Sequence, residues 1–108
     1  MESWKGNRTP SNPQEGYYVG LMNACGYRTK DLEKPVIGIV NSFTDVNPGH
    51  RAFKELVGYV KEGVWAAGGT PVEFPAIAVC DGIAMGHVGM KYSLVTRDLI
   101  ADSTEAMA

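Results

Sequence analysis

Apolar residues along the chain recur in patterns typical of alternating strands and helices. Residues 35–40 (PVIGIV) form a short continuous run rich in β-branched side chains, which predicts a strand covered on both faces. Residues 71–79 (PVEFPAIAV) predict a second strand, and Pro75 places its first half at a sheet edge or in irregular backbone. A helix is predicted between the two runs from apolar side chains at helical spacing, which are Phe53, Leu56, Val57, Val60 and Val64. Strand, helix and strand in this order predict a parallel, right-handed βαβ unit.

Turn-forming residues mark where the helices begin and end. The pair Asn47-Pro48 predicts the start of the central helix, with Asn as N-cap and Pro at the first helical position, and Gly68-Gly69 predicts its end. A shorter helix is predicted over residues 17–25, with Cys25 on its apolar face as a small buried side chain. Residues 1–16 contain two prolines and two glycines among polar residues, which predicts an irregular lead-in.

The last part of the chain is predicted to be helical. Residues 91–108 contain no Gly or Pro, and their weak apolar face consists of Leu99, Ile100, Ser103 and Met107. No cap signal or helix breaker occurs before Ala108, so we expect the chain to be truncated there. The predicted fold class is α/β, with the βαβ unit inside a domain portion that covers residues 17–108.

Composition narrows the class of protein. Hydrophobic residues make up 44% of the chain and charged residues 20%, which is typical of an ordinary globular domain. Ten basic and twelve acidic side chains give a net charge of −2 without a basic patch, so neither nucleic acid nor an anionic membrane is expected as a partner. No apolar run approaches the roughly 18 residues of a membrane span, and the N-terminus lacks a secretory signal core. We therefore expect a cytoplasmic protein.

Candidate chemistry is concentrated in residues 79–90 (VCDGIAMGHVGM), directly after the second apolar run. Asp81 is suited to a hard cation such as Mg²⁺, although the Asp-Gly pair by itself slightly favours a backbone turn. For Cys80 the two interpretations are a metal ligand and a buried thiol. His50 and His87 can each be a general base, an anion contact or a hydrogen-bonded structural group.

Two blocks of this sequence closely resemble a known family. Residues 35–50 (PVIGIVNSFTDVNPGH) and residues 62–107 are similar to the N-terminal region of the dihydroxy-acid/6-phosphogluconate dehydratase family, and the similarity extends over residues 17–108. The resemblance implies the N-terminal part of a larger α/β domain. It also implies a hydro-lyase that removes water from a 2,3-dihydroxy carboxylic acid to give a 2-keto acid. An iron–sulfur cluster acts on the leaving hydroxyl in this family, and Mg²⁺ holds the carboxylate and 2-hydroxyl.

The resemblance also assigns roles to individual residues. Asp81 corresponds to a magnesium ligand of the family. Some members have a cluster cysteine in a Pro-Cys-Asn motif where this chain has Gly49, which leaves Cys80 as the candidate cluster ligand and favours a 4Fe-4S over a 2Fe-2S cluster. The remaining cluster cysteines, the catalytic base and a C-terminal domain are expected beyond Ala108. No catalytic residue is therefore predicted within this chain, which we expect to be inactive alone and homodimeric as a full-length enzyme.

Within the family, the sequence of residues 90–103 (MKYSLVTRDLIADS) is most similar to that of dihydroxy-acid dehydratases. The favoured substrates are thus the 2,3-dihydroxy-3-methyl acids of branched-chain amino acid biosynthesis. Sugar acids such as aldonates or 6-phosphogluconate are the second choice. A non-catalytic binding or interaction domain that shares the βαβ unit is the alternative from another class.

Overall fold

A computed structural model describes residues 14–108 and shows a βαβ unit with further helices on either side of it in sequence. The main elements in chain order are helix α1 (Gln14–Ala24), strand β1 (Val36–Asn41), helix α2 (Phe53–Ala66), strand β2 (Thr70–Pro75), the short helix α3 (Asp81–Ala84) and helix α4 (Tyr92–Met107). Three single turns of 3₁₀-helix lie between them, at Thr29–Asp31, Pro48–His50 and Val88–Lys91. The predicted α/β fold class is confirmed.

The two strands are parallel neighbours, as predicted. Val36 pairs with Thr70 at one end of the ladder and Asn41 pairs with Pro75 at the other. Helix α2 connects the strands and contacts both of them. The right-handed sense of this connection stays a prediction.

Helix α2 begins later than predicted. The Asn47 side chain accepts a hydrogen bond from the Gly49 N–H at 3.1 Å, and Pro48 follows it, so this pair does cap a turn. That turn is a separate 3₁₀ turn, however, and the α-helix begins only at Phe53. The predicted end is confirmed, because the helix stops at Ala66 and Gly68 adopts the left-handed conformation with φ +86°.

The prediction that β1 is covered on both faces is wrong for the part of the chain that the structure describes. Ile37 and Val40 are 44% and 41% exposed. A two-stranded sheet with a single long helix packed against it does not have enough protein to cover both faces. Val57, the only buried member of the apolar stripe of α2 among these residues, marks the small core between helix and sheet.

Strand β2 is shorter than predicted, since it ends at Pro75 instead of Val79. The Asn41 carbonyl accepts a hydrogen bond from the Ala76 N–H at 2.9 Å, and Asn41 is the last residue of β1. Residues 77–80 thus have no strand beside them and continue without a ladder. This stretch carries the chain from the sheet to Cys80.

Helix α1 starts at Gln14, three residues before its predicted start and within the predicted lead-in. Residues 1–13 of that lead-in lie outside the described residues. Gly26 ends the helix with φ +100°, as predicted. Cys25 is exposed, so its predicted place among buried apolar side chains is wrong.

Helix α4 is confirmed, but its predicted apolar face is exposed except at Ile100. Leu99 is 53% exposed, whereas Thr96 is buried and Ser93 and Ile100 are partly covered. The face turned inward is therefore largely polar. No helix within residues 14–108 has the length and apolar character needed to cross a membrane.

Asp31 has a buried carboxylate and a backbone carbonyl that contacts the amino end of the sheet. Asp31 accepts hydrogen bonds from the Arg28 guanidinium at 2.8 and 2.9 Å and from the Lys34 ammonium at 3.3 Å. The Thr70 hydroxyl on β2 donates to the Asp31 backbone carbonyl at 2.5 Å. The hydrogen bonds from Arg28 hold the pKa of the Asp31 carboxyl well below its usual range. We call Arg28, Asp31, Lys34 and Thr70 the Asp31 cluster.

Candidate functional site

A cavity of about 500 Å³ lies at the carboxyl end of the two strands. Its walls come from the residues that follow β1, the irregular stretch after β2, the start of α3 and the inner face of α4. Open α/β sheets bind ligands outside the carboxyl ends of their strands, where successive loops meet. The cavity is thus in the position that this fold favours for a site.

Cys80 and Asp81 both line this cavity. Adjacent residues of a regular strand would point to opposite faces. Here β2 has already ended and a helix begins at Asp81, with Cys80 in extended backbone just before it. The end of the strand therefore allows a thiol and a carboxylate to share one cavity. Cys80 is partly exposed and Asp81 is exposed.

The Asp81 carboxylate is held by one neighbour and is free on its other side. The Ser93 hydroxyl, on the first turn of α4, donates a hydrogen bond to Asp81 Oδ1. Asp81 Oδ2 has no hydrogen-bond partner among residues 14–108. Asp81 begins a helix, and its side chain makes no hydrogen bond to the backbone of a turn. The arrangement leaves an oxygen available for a cation.

His50 lines the same cavity in a fixed orientation. Its Nδ1 lies 2.8 Å from the Ser42 carbonyl oxygen, and its ring lies 4.7 Å from the Phe53 ring between centroids. Because a carbonyl only accepts hydrogen bonds, Nδ1 carries the proton. In the neutral ring, Nε2 is then an acceptor, and no described residue donates to it.

His87 has a different position and role. Its Nδ1 accepts a hydrogen bond from the Gly89 N–H at 2.9 Å and caps the 3₁₀ turn at Val88–Lys91. The side chain is exposed and lies outside the cavity lining. The structural interpretation is thus the one that fits His87.

The cavity also includes side chains of α4 that were not predicted as site residues, among them Ser93 and Arg97. Ser93 and Arg97 lie one helical turn apart on α4, on the face turned toward Asp81. The Arg97 guanidinium makes no hydrogen bond or ion pair with the part of the chain that the structure describes. The i, i+4 spacing was a usable signal once α4 was predicted, but a guanidinium on a polar face is ordinarily read as solvated.

Comparison with known proteins identifies the family. The model of the dihydroxy-acid/6-phosphogluconate dehydratase N-terminal region matches residues 34–108. The chain belongs to the dihydroxy-acid/6-phosphogluconate dehydratase family. The family resemblance of the two sequence blocks is confirmed. The βαβ unit and the residues that line the cavity lie within the matched N-terminal region.

Curated relatives within the family carry the name dihydroxy-acid dehydratase. The protein from Lachnoclostridium phytofermentans is 63% identical over 95 residues, which are 88% of this chain and 17% of the relative. The protein from Agathobacter rectalis is 66% identical over 88 residues, or 82% of this chain and 16% of the relative. The protein from Methanococcus vannielii is 62% identical over 88 residues, which are again 82% of this chain and 16% of the relative. The chain thus spans about a sixth of the length of these relatives.

The family resemblance implies Mg²⁺ and an iron–sulfur cluster, and the potential ligands in the cavity suit Mg²⁺ better than the cluster. Within residues 14–108, no three His, Cys, Asp or Glu side chains lie close enough together to hold a metal ion. Mg²⁺ commonly takes only one or two protein carboxylates, together with water and substrate oxygens, so Asp81 suits it. Iron–sulfur clusters need several thiolates. Cys80 is one thiol, and Cys25 does not line the cavity.

Proposed function

We propose that the whole enzyme containing this chain removes water from a 2,3-dihydroxy carboxylic acid and gives the 2-keto acid. Residues 76–82 and the inner face of α4 would form one wall of its active site. The observation that carries this proposal is that Cys80 and Asp81 open into one cavity at the carboxyl end of the sheet. The relatives' name, dihydroxy-acid dehydratase, supports the same reaction.

The reaction breaks the C2–H and C3–OH bonds, and the enol that results becomes the keto acid. The C2 proton is weakly acidic beside a carboxylate, and hydroxide is a poor leaving group, so developing negative charge must be stabilised at both ends. Mg²⁺ and an iron–sulfur cluster would supply this Lewis acidity when bound.

The residues of this chain would take separate parts in that arrangement. Asp81 would hold Mg²⁺ through its free carboxylate oxygen, while the Ser93 hydroxyl fixes the other oxygen. Cys80 would provide one thiolate of the cluster, of the 4Fe-4S type in preference to 2Fe-2S. The further ligands would come from residues other than 14–108. Arg97 would attract the anionic substrate into the cavity.

The relatives are named for dihydroxy acids. Among such acids, the 2,3-dihydroxy-3-methyl acids are the substrates that we favour, because residues 90–103 most resemble the dihydroxy-acid dehydratases. Sugar acids are the competing substrates, since the family model also covers 6-phosphogluconate dehydratase. We propose a cytoplasmic homodimer for the whole enzyme.

The first experiment is to sequence the coding DNA past the codon for Ala108 and to express the complete reading frame under anaerobic conditions. The purified product is then assayed for keto acid with 2,3-dihydroxy-3-methylbutanoate, gluconate and 6-phosphogluconate. We expect the first acid to be the best substrate. A higher kcat/KM with either sugar acid would move the assignment to the sugar-acid branch, and absence of keto acid from all three would contradict the proposal.

A matched pair of cysteine variants tests the cluster ligand. Cys80→Ser should lose most of the bound iron, because serine replaces the only cavity thiol of the described residues, whereas Cys25→Ser should keep it. Iron and sulfide are measured after anaerobic purification. Unchanged iron in Cys80→Ser would remove this residue from the ligand set.

A further inference from the structure

We infer that His50 is a substrate-binding residue whose Nε2 accepts a hydrogen bond from a hydroxyl of the dihydroxy acid. The identity of the ligand rests on the proposed function. The existence of a hydroxyl-accepting group in the cavity rests on the geometry of His50 alone.

The His50 ring is held from two sides before any ligand arrives. The Ser42 carbonyl, just after β1, accepts the Nδ1–H bond at 2.8 Å, and the Phe53 ring at the start of α2 packs against the imidazole with an interplanar angle of 31°. The two contacts restrict the ring plane, and the Nδ1–H bond selects the tautomer. A group fixed in this way loses little conformational freedom on binding.

The chemistry of the lining selects the ligand class. Nε2 of this tautomer can accept a hydrogen bond, and no described residue donates one. The Arg97 guanidinium, which lines the same cavity from α4, is available to an anion. A small molecule with both a carboxylate and a donating hydroxyl satisfies both groups. A 2-keto acid satisfies only Arg97, because dehydration removes one hydroxyl and converts the other into a carbonyl.

His87 provides the contrast within the same chain. Its Nδ1 is already occupied by the Gly89 N–H, and the side chain lies outside the cavity. Substitution of His87 thus changes the same residue type without touching the inferred contact.

Three variants of the whole enzyme separate binding from structure. His50→Asn can keep a donor near the position of Nδ1 but has nothing at the position of Nε2, whereas His50→Gln has a carbonyl that can reach it. His87→Gln is the control. We expect His50→Asn to raise KM for the dihydroxy acid about tenfold, as loss of one hydrogen bond would. We expect His50→Gln to recover part of this loss and His87→Gln to match the unmodified enzyme.

The decisive measurement is the product-inhibition constant of the 2-keto acid in the same variants. We expect it to stay unchanged in His50→Asn while KM for the dihydroxy acid rises, because the product has lost both donors. Equal weakening of substrate and product would indicate a structural role and overturn the inference. An unchanged KM in a folded His50→Asn variant would also overturn it.

Failure of the proposed function is distinguishable from failure of this inference. If the unmodified enzyme forms no keto acid, calorimetric titration with 2,3-dihydroxy-3-methylbutanoate and with the corresponding keto acid replaces the kinetic assay. Weaker binding of the dihydroxy acid alone in His50→Asn would then support the role of His50. Equal binding by the variant and the unmodified protein, or no binding by either, would overturn it. If His50→Asn does not fold, His50→Leu carries the same comparison.

Discussion

Two aspartates at opposite ends of the sheet have contrasting surroundings. Asp31, at the amino end, is 3% exposed and is bound by the side chains of Arg28 and Lys34 and by the Arg28 backbone N–H. Asp81, at the carboxyl end, is exposed and receives a single hydrogen bond, from Ser93. The first carboxylate has its lone pairs filled by the protein, and the second has one oxygen to spare.

The difference in hydrogen bonding indicates a structural role for Asp31 and leaves Asp81 available for a ligand. A buried carboxylate that is fully hydrogen-bonded stabilises the fold and has little capacity for a further partner. A carboxylate oxygen without a protein donor, beside a thiol and in a cavity, is available to a cation. Hydrogen-bond occupancy in the folded chain thus distinguishes these two aspartates, because only Asp81 has a carboxylate oxygen without a partner among the described residues.

The largest effect is expected from Asp81→Asn in the whole enzyme. The variant should lose turnover by about a thousandfold or more, because a neutral amide is a poor ligand for the proposed Mg²⁺, whose charge stabilisation would contribute several kcal/mol. Its thermal stability should barely change, since Asp81 is exposed. Steady-state kinetics and a melting curve measure both.

Asp45→Asn is the matched control for that variant, as Asp45 is exposed and does not line the cavity. It should retain full activity. Full activity in Asp81→Asn would remove Asp81 from the site. The contrast between Asp31 and Asp81 would then have no functional meaning.

A smaller effect, of the opposite kind, is expected from Thr70→Val at the structural end. The hydroxyl is fully buried and donates to the Asp31 carbonyl, so the isosteric valine leaves that acceptor unpaired. The expected cost is about 1–3 kcal/mol in the free energy of unfolding. Turnover at saturating substrate should be unchanged. The shift of the denaturant midpoint measures the loss, with the exposed Thr29→Val as control, and a drop in kcat would show that the two ends are coupled.

The smallest effect is expected in acid. Arg28 holds the pKa of Asp31 below the value of about 3.9 in an unfolded chain. This pair therefore contributes stability that is fully present well above pH 4 and is lost as the pH falls toward the lower, folded pKa. Asp31→Asn should be less stable than the unmodified protein at pH 7, and the gap should narrow progressively below about pH 4. Denaturant midpoints of both proteins at pH 7, 4 and 3 test this, and a constant gap would contradict it.

The sequence by itself determined the elements and their parallel pairing. A β-branched run, a helical apolar stripe and Gly68 in left-handed backbone are local signals, which act within a few residues of the chain. The family resemblance added what periodicity could not, namely the family of the chain and the candidate roles of Cys80 and Asp81. The exact start of α2 and the end of β2 escaped these signals, since a 3₁₀ turn and the end of the partner strand decided them.

Only the tertiary structure decided which polar groups share a cavity. The bond from Ser93 to Asp81 joins residues 12 apart in sequence, that between His50 and Ser42 joins residues 8 apart, and that from Thr70 to Asp31 joins residues 39 apart. The side chains of Asp31 and His87 are hydrogen-bonded by residues at most three positions away in sequence, whereas the hydrogen-bond partners of the His50 and Asp81 side chains come from separate segments. The reason is physical: side-chain hydrogen bonds between distant segments depend on where those segments meet, whereas helix and strand formation depends on the spacing of residues along one segment.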